Sequence, residues 1–187
     1  MYKGLGAPNF YTNRLYCRPI DLCDIRDMYE ICNNRQVTKY LTFEPHRSTL
    51  DTKHVIENMI RSYYSGNSIN YAIIQKDTNK MIGSASITFN LYENSAEIGY
   101  LLNQNSWNQG YMSEVIKAIV QIAFEYYHLN CLYAKHILEN EASKKIILAN
   151  HFKLMQVNEN SFLKNNHLYT ILEYKLNYED FIENKKA

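Results

Sequence analysis

One stretch constrains the fold of this chain more than any other: "SAEIGYLLNQNSWNQGYMSEVIKAIVQIAFEYY", residues 95–127. It opens as a strand ("SAEIGYLLN", 95–103), passes through a polar turn with a lone glycine, and continues as a helix from about Gln109 to Tyr127. Met112, Val115–Ile116, Ile119, Ile122–Ala123 and Tyr126 recur at helical spacing, with Ser113, Lys117, Gln121 and Glu125 opposite. Another strand follows, "CLYAKHI" (131–137). A strand that returns through a helix to a second strand of one sheet must pair with it in parallel. The connections before it are short and polar: "DTN" joins "NYAIIQK" (70–76) to "KMIGSASITF" (80–89), and "NLYEN" leads into 95–103. Those three strands form an antiparallel meander.

The remaining elements fit around this crossover. "RLYCRPI" (14–20) alternates like a strand, and "DLCDIRDMYEICNN" (21–34) has helical spacing with Asp21 or Asp24 as cap. "STLDTKHVIENMIRSYYSG" (48–66) is a second helix capped by Ser48 or Thr49 and ended by Gly66. A short helix near 141–150 precedes two last strands, "FKLMQVN" and "HLYTILEYKL". The expectation is one α/β (α+β) domain over 1–187: a mixed, mostly antiparallel sheet of six to seven strands with about four flanking helices. Residues 1–11 and 177–187 are expected to be flexible termini, the last adding at most a partial turn.

Lys plus Arg number 20 against 19 for Asp plus Glu, a net charge of +1 that gives no broad field for nucleic acid or an anionic membrane. No apolar run reaches the length of a membrane span and the first residues lack an apolar signal core, so the cytoplasm is the expected location. Cys17, Cys23, Cys32 and Cys131 have no metal-ligand spacing and are read as reduced thiols. No metal is expected. Neither GxGxxG nor GxxxxGK[ST] occurs, which disfavours dinucleotide and P-loop chemistry.

The turn "NSWNQG" at a helix start has two readings. Gly110 either only lets the turn close, or it lets the backbone approach an anion held by the free N–H groups at the positive end of the helix.

Three separate stretches decide between them by resemblance. "AEIGYLLNQNSWNQGYMSEVI" (96–116) closely resembles the acetyl-CoA segment of GNAT-family N-acetyltransferases, above all the RimJ/RimL-type branch that acetylates ribosomal protein N-termini. "LENEASKKIILANHF" (138–152) resembles that branch's NxxS helix, and "TNRLYCRPIDLCDIRDMYEI" its opening strand and helix. The match runs in order from about residue 12 to 176. Asn108 and Met112 depart from the branch's glycine and small residue, His151 replaces the glycine before Phe152, and Met155 stands where some members carry a glutamate base.

The resemblance implies acetyl-CoA as co-substrate, held by Tyr100, Leu101, Leu102, Trp107, Asn108, Gln109, Gly110, Tyr111, Met112, Ser113, Asn140, Ser143 and Lys145. Asn108 to Met112 would cradle the pyrophosphate and the strand edge "GYLL" the pantetheine arm, with Gly99 as a bulge or close-approach point. The backbone N–H of Leu101 would polarise the thioester carbonyl. Glu97 would act as base on the amine, directly or through water, its pKa raised by a half-buried cleft, and the Ser143 hydroxyl would serve the leaving sulfur. Helix capping is the competing role for Asn140 and Ser143.

The acceptor cleft falls at "TKYLTFEPHRST" (38–49) and the loop "NENSFLKNN" (158–166), with Phe43, Glu44, His46 and Phe162 as walls. The expected acceptor is a primary amine: a protein N-terminus, or alternatively a polyamine or an antibiotic. A non-catalytic acyl-CoA-binding module is the reading from another class. A homodimer is common in the resembling branch.

Overall fold

The computed structural model describes residues 6–186. Its centre is one eight-stranded sheet in the order β1-β2-β3-β4-β5-β6-β8-β7. The strands are β1 (Phe10–Tyr11), β2 (Leu15–Pro19), β3 (Ser68–Gln75), β4 (Lys80–Asn90), β5 (Ser95–Leu102), β6 (Cys131–Ile137), β7 (Lys153–Lys164) and β8 (His167–Asn177). Every neighbouring pair is antiparallel except β5 and β6, the pair that the crossover requires.

Among the described residues six α-helices flank the sheet: α1 (Ile25–Cys32), α2 (Arg35–Thr38), α3 (Thr49–Tyr64), α4 (Tyr111–Gln121), α5 (Glu141–Ala149) and α6 (Tyr178–Lys186). Alternation along the strands divides the apolar residues between two cores. Ala96 and Ile98 face α4, where they join Met112, Val115, Ile116 and Ile119. Leu101 packs on the other face with Met28 of α1 and Ile56 of α3.

Several boundaries differ from the sequence reading, each for a local reason. The helix expected over 21–34 is a 3₁₀ turn (Leu22–Asp24), α1 and the one-turn α2. Its cap uses both candidates, because the Asp24 carboxylate accepts from the Asp21 N–H at 2.9 Å in a reciprocal box. Arg18 then forks onto Asp24 at 2.7 and 2.8 Å. Helix α4 ends at Gln121 and continues as a wider π turn through Tyr126.

The last hairpin departs most. β7 continues to Lys164, and the turn is only Asn165–Asn166, both in the left-handed region (φ 50° and 61°) as a two-residue hairpin turn requires. Phe162 is therefore a strand residue paired with Tyr169, not a loop residue. Residues 178–186 are not a frayed end but α6, anchored by the buried Phe181 stacking on Phe124 at 4.9 Å. The two-residue β1 was absent from the sequence reading; residues 1–5 and 187 lie outside the described residues. Among the described residues no helix is long and apolar enough to cross a membrane.

Candidate active site

The sheet is split where the parallel strands β5 and β6 meet. β5 and β6 stay in register from Ser95↔Cys131 to Ile98↔Ala134 and then part, although β5 runs on to Leu102 and β6 to Ile137. Which backbone groups line that split follows from the antiparallel register with β4. Asn103 N–H donates to the Ile82 carbonyl at 2.7 Å, and the ladder continues unbroken from Gly83↔Leu102 to Asn90↔Ser95. Hydrogen-bonded pairs alternate along such a ladder, so Leu101 bonds Ser84, and Tyr100 and Leu102 point their N–H groups at the split. The role expected for the Leu101 N–H is thereby moved: that group is committed to β4, and the free donors are its two neighbours. Gly99 is no bulge either, since the ladder has no shift there; it is a close-approach point, where a Cβ would lie 2.9 Å from Ser86 Oγ.

The turn after β5 is held open by specific contacts. Trp107 Nε1 donates to the Leu102 carbonyl at 2.8 Å, and Gln109 Nε2 to the Asn105 carbonyl at 2.9 Å. Asn108 (φ 58°) and Gly110 (φ 80°) both adopt the left-handed conformation. Asparagine tolerates it better than most residues, which explains how Asn108 stands where the related loops have glycine. Gly110 is the N-cap of α4, and the first N–H groups of that helix, at Tyr111, Met112 and Ser113, have no partner one turn back. The side chains of Tyr111 and Met112 are buried, so those residues offer the site only backbone, whereas Ser113 is exposed.

Arg14, from the start of the chain, reaches this loop. Its Nη2 donates to the Gln109 carbonyl at 2.7 Å, its Nε to Glu114 at 2.6 Å, and its guanidinium lies 4.2 Å over the Tyr111 ring. Thr12 completes the clamp with a 2.7 Å bond to the other Glu114 oxygen. Sequence reasoning passed over Arg14; its place at the start of the strand expected over 14–20 gave no hint of a partner about a hundred positions on.

On the α4 side of the split, Tyr100 Oη and Ser143 Oγ lie 2.8 Å apart. Asn140 Oδ1 accepts the Ser143 N–H at 3.1 Å, so the capping role foreseen for Asn140 is present. Burial pushes the Tyr100 phenol up to about 12, against the opposing effect of its Ser143 hydrogen bond. Lys145 is exposed on the same helix, and its neighbour Lys144 pairs with Glu141 at 3.5 Å.

Glu97 lies on the opposite face. Its carboxylate meets Lys135 Nζ at 3.2 Å, and Lys135 also reaches Glu173 at 3.6 Å. Burial opposes the Lys135 charge, but the two carboxylates outweigh it and hold that ammonium above the usual lysine value. Half of the Glu97 side chain is exposed (49%), and its carboxylate is held there in an ion pair with Lys135.

On that same face, beyond Tyr169, opens a cavity of about 640 Å³. Glu44 and His46 line it as expected; Phe43 and Phe162 do not. Lys164 closes one side, its ammonium donating to the carbonyls of Thr38, Leu41 and Phe43 at 2.7, 2.7 and 3.0 Å. Burial lowers the His46 pKa and favours its neutral ring, with Nδ1 2.8 Å from Thr52 Oγ1. Asn34 Nδ2, bonded to Gln104 Oε1 at 2.8 Å, ties the α1–α2 corner to the end of β5.

The acetyltransferase (GNAT) domain family matches residues 14–153, most of the chain. The chain belongs to the GNAT family. An uncharacterized N-acetyltransferase, p20 of Bacillus licheniformis, is 30% identical over 138 residues, covering 73% of this chain and 78% of the relative. Among solved structures, the RimL ribosomal L7/L12 alpha-N-protein acetyltransferase in complex with coenzyme A superposes with a TM-score of 0.83. It is 21% identical and covers 90% of this chain and 97% of its own. The microcin C7 self-immunity acetyltransferase MccE, in complex with acetyl-CoA and AMP, gives 0.82 at 19% identity, covering 89% and 93%.

As a GNAT N-acetyltransferase, the protein takes its acetyl group from acetyl-CoA, and the split fits that molecule. A strand edge with free Tyr100 and Leu102 amides suits a peptide-like pantetheine arm. The left-handed turn before α4 suits a pyrophosphate, because unpaired N–H groups at a helix start supply partial positive charge. Among the described residues no group of three or more His, Cys, Asp or Glu is placed to hold a metal.

Proposed function

We propose that the protein acetylates a primary amine of the protein N-terminal type, brought to the split from the face that carries Glu97 and the 640 Å³ cavity. The parted β5 and β6 carry this reading, because they open a passage between two differently equipped faces. Acetyl-CoA supplies an acetyl group activated as a thioester. The Tyr100 and Leu102 N–H groups are the donors available to the thioester carbonyl, and one such donor contributes roughly 3 kcal/mol of barrier lowering.

On one face, Glu97 takes up the amine's proton through solvent, which its exposed carboxylate allows. On the other, the Tyr100 and Ser143 hydroxyls offer hydrogen bonds to the sulfur as the carbon–nitrogen bond forms and the carbon–sulfur bond breaks. Proton transfer from a phenol near 12 to a thiolate near about 8.5 would be uphill by roughly 5 kcal/mol, so the pair stabilises the thiolate, which is then protonated from solvent. The cavity exceeds the size of an ammonium group, and its walls come from the α2 region and the β7–β8 hairpin, which suits an acceptor with residues following the amine. Cytoplasmic action on a nascent or ribosomal chain accords with this reading.

Thiol release from acetyl-CoA, measured with peptides, polyamines and aminoglycosides as acceptors, tests it. Turnover with peptides bearing a free N-terminus is expected. Tight CoA binding with no release for any amine would instead establish a non-catalytic acyl-CoA module.

A further inference from the structure

The cavity beside the split is not electrically neutral. Its walls include Arg35, Lys39, Arg47 and Lys164 against a single acid, Glu44, in a chain whose cations and anions almost balance. Lys164 is committed to its three carbonyls, and Glu44 is drawn to it at 3.8 Å. Lys39 lies over the ring of Tyr40 at 4.8 Å, and the charge of Glu139 also acts on it. The Asp51 carboxylate, just outside, accepts the Arg47 main-chain N–H at 2.9 Å. The guanidinium groups of Arg35 and Arg47 are exposed and make no side-chain hydrogen bond or ion pair among the described residues.

Two free guanidinium groups lining one concave site are an anion receptor. Each presents a planar fork that matches a carboxylate or phosphate in bidentate fashion. Walls with an excess of one sign also concentrate counter-ions and repel like charge, so a polyamine or aminoglycoside meets an unfavourable field. We infer that the acceptor is an anionic amine: a molecule whose reacting nitrogen is accompanied by a carboxylate or phosphate held between Arg35 and Arg47. This rests on the acetyl-transfer reading above and narrows its substrate class.

The test compares acceptors of one size and different charge. Four peptide amides are used, Ser-Asp-Glu-Ala, Ser-Asn-Gln-Ala, Ser-Lys-Lys-Ala and a phosphoserine version of the neutral one, together with O-phosphoethanolamine, ethanolamine and spermidine. The acidic acceptors should show at least about tenfold higher kcat/KM than their neutral partners, chiefly through KM, and the advantage should shrink with added salt. The phosphoserine and ethanolamine arms separate phosphate from carboxylate and peptide from small molecule.

In Arg35→Gln/Arg47→Gln the acidic-to-neutral ratio should fall to about one, with CoA titration reporting that the variant is folded. Equal or better turnover of the neutral or cationic acceptors by the unaltered protein would overturn the inference while leaving acetyl transfer standing. If no acceptor releases thiol, acetyl transfer fails, and the inference is decided by titrating the CoA-loaded protein with the same peptides. Binding of the acidic peptide alone, weakened in the double variant, upholds it; no binding, or equal binding of all, overturns it.

Discussion

Arg14 donates to the main-chain oxygen of Gln109 at 2.7 Å, 95 positions away in the chain. The same guanidinium pairs with Glu114 and covers the Tyr111 ring, so it fixes the turn through a main-chain oxygen and side chains and uses none of the first N–H groups of α4. Thr12 and Arg14 together pull the Glu114 carboxyl below its usual value, against the opposing effect of burial.

Replacing Arg14 with alanine removes three contacts at once and lets the turn relax. CoA affinity is expected to fall about tenfold, equivalent to about 1.4 kcal/mol, with less effect on KM for the amine. Lysine should not restore it, because an ammonium lacks the planar group that lies over the Tyr111 ring while its separate Nε and Nη2 donors reach Glu114 and the Gln109 carbonyl. Calorimetric titration with CoA checks both variants; unchanged affinity in Arg14→Ala would remove the arginine from the site.

The Tyr100–Ser143 pair should behave as a unit. Ser143→Ala and Tyr100→Phe are each expected to lower kcat by about tenfold or more. The double variant should lose little beyond either one, because the hydroxyls act through one hydrogen-bonded chain. Steady-state kinetics of the three variants measure the coupling. Fully additive losses would show that the two hydroxyls act separately.

Glu97 and that pair lie on opposite faces of β5, since residues 97 and 100 differ by an odd number in a strand of period two. Glu97→Gln should therefore spare CoA binding. It should lower kcat/KM by roughly 10²-fold near neutral pH, where an α-amine with a pKa of about 8 is mostly protonated and needs a base. As pH rises past that value the free amine appears unaided, and the gap should close. A pH–rate profile parallel to that of the unaltered protein would place the base elsewhere.

Much of this arrangement was legible in the sequence. The crossover at 95–137 dictated the one parallel pair, and "NSWNQG" marked the turn that the structure builds before α4. Local signals carried that information: period, turn chemistry and caps. What escaped depends on register or on long-range contact. Which of Tyr100, Leu101 or Leu102 faces the split is decided by pairing with β4, which no single strand encodes. The Arg14 clamp and the Lys164 tie join segments about a hundred residues apart, and both cations look like ordinary surface charge in the sequence. The extended β7 was hidden because its residues are largely exposed and show no clean alternation.

His151 is the residue whose presence in place of glycine most invited doubt, and the structure shows how the turn accommodates it. After α5 its N–H donates to the Leu148 carbonyl at 3.0 Å and the Phe152 N–H to the Ile147 carbonyl at 3.3 Å, the two bonds of a Schellman motif. Ile147 and Phe152 are both buried and supply the motif's apolar contact. The motif requires a left-handed residue between them, and His151 adopts φ 64° with its side chain exposed. A side chain in that conformation costs about 1–2 kcal/mol, while glycine loses about 0.5–1 kcal/mol through its freer unfolded chain. His151→Gly should therefore stabilise the protein by about 0.5–1 kcal/mol and raise Tm by roughly 1–4 °C. His151→Val, branched at Cβ, should lower it. Thermal melting of the two variants decides the matter, and a lower Tm for the glycine variant would mean that the imidazole contributes a contact of its own.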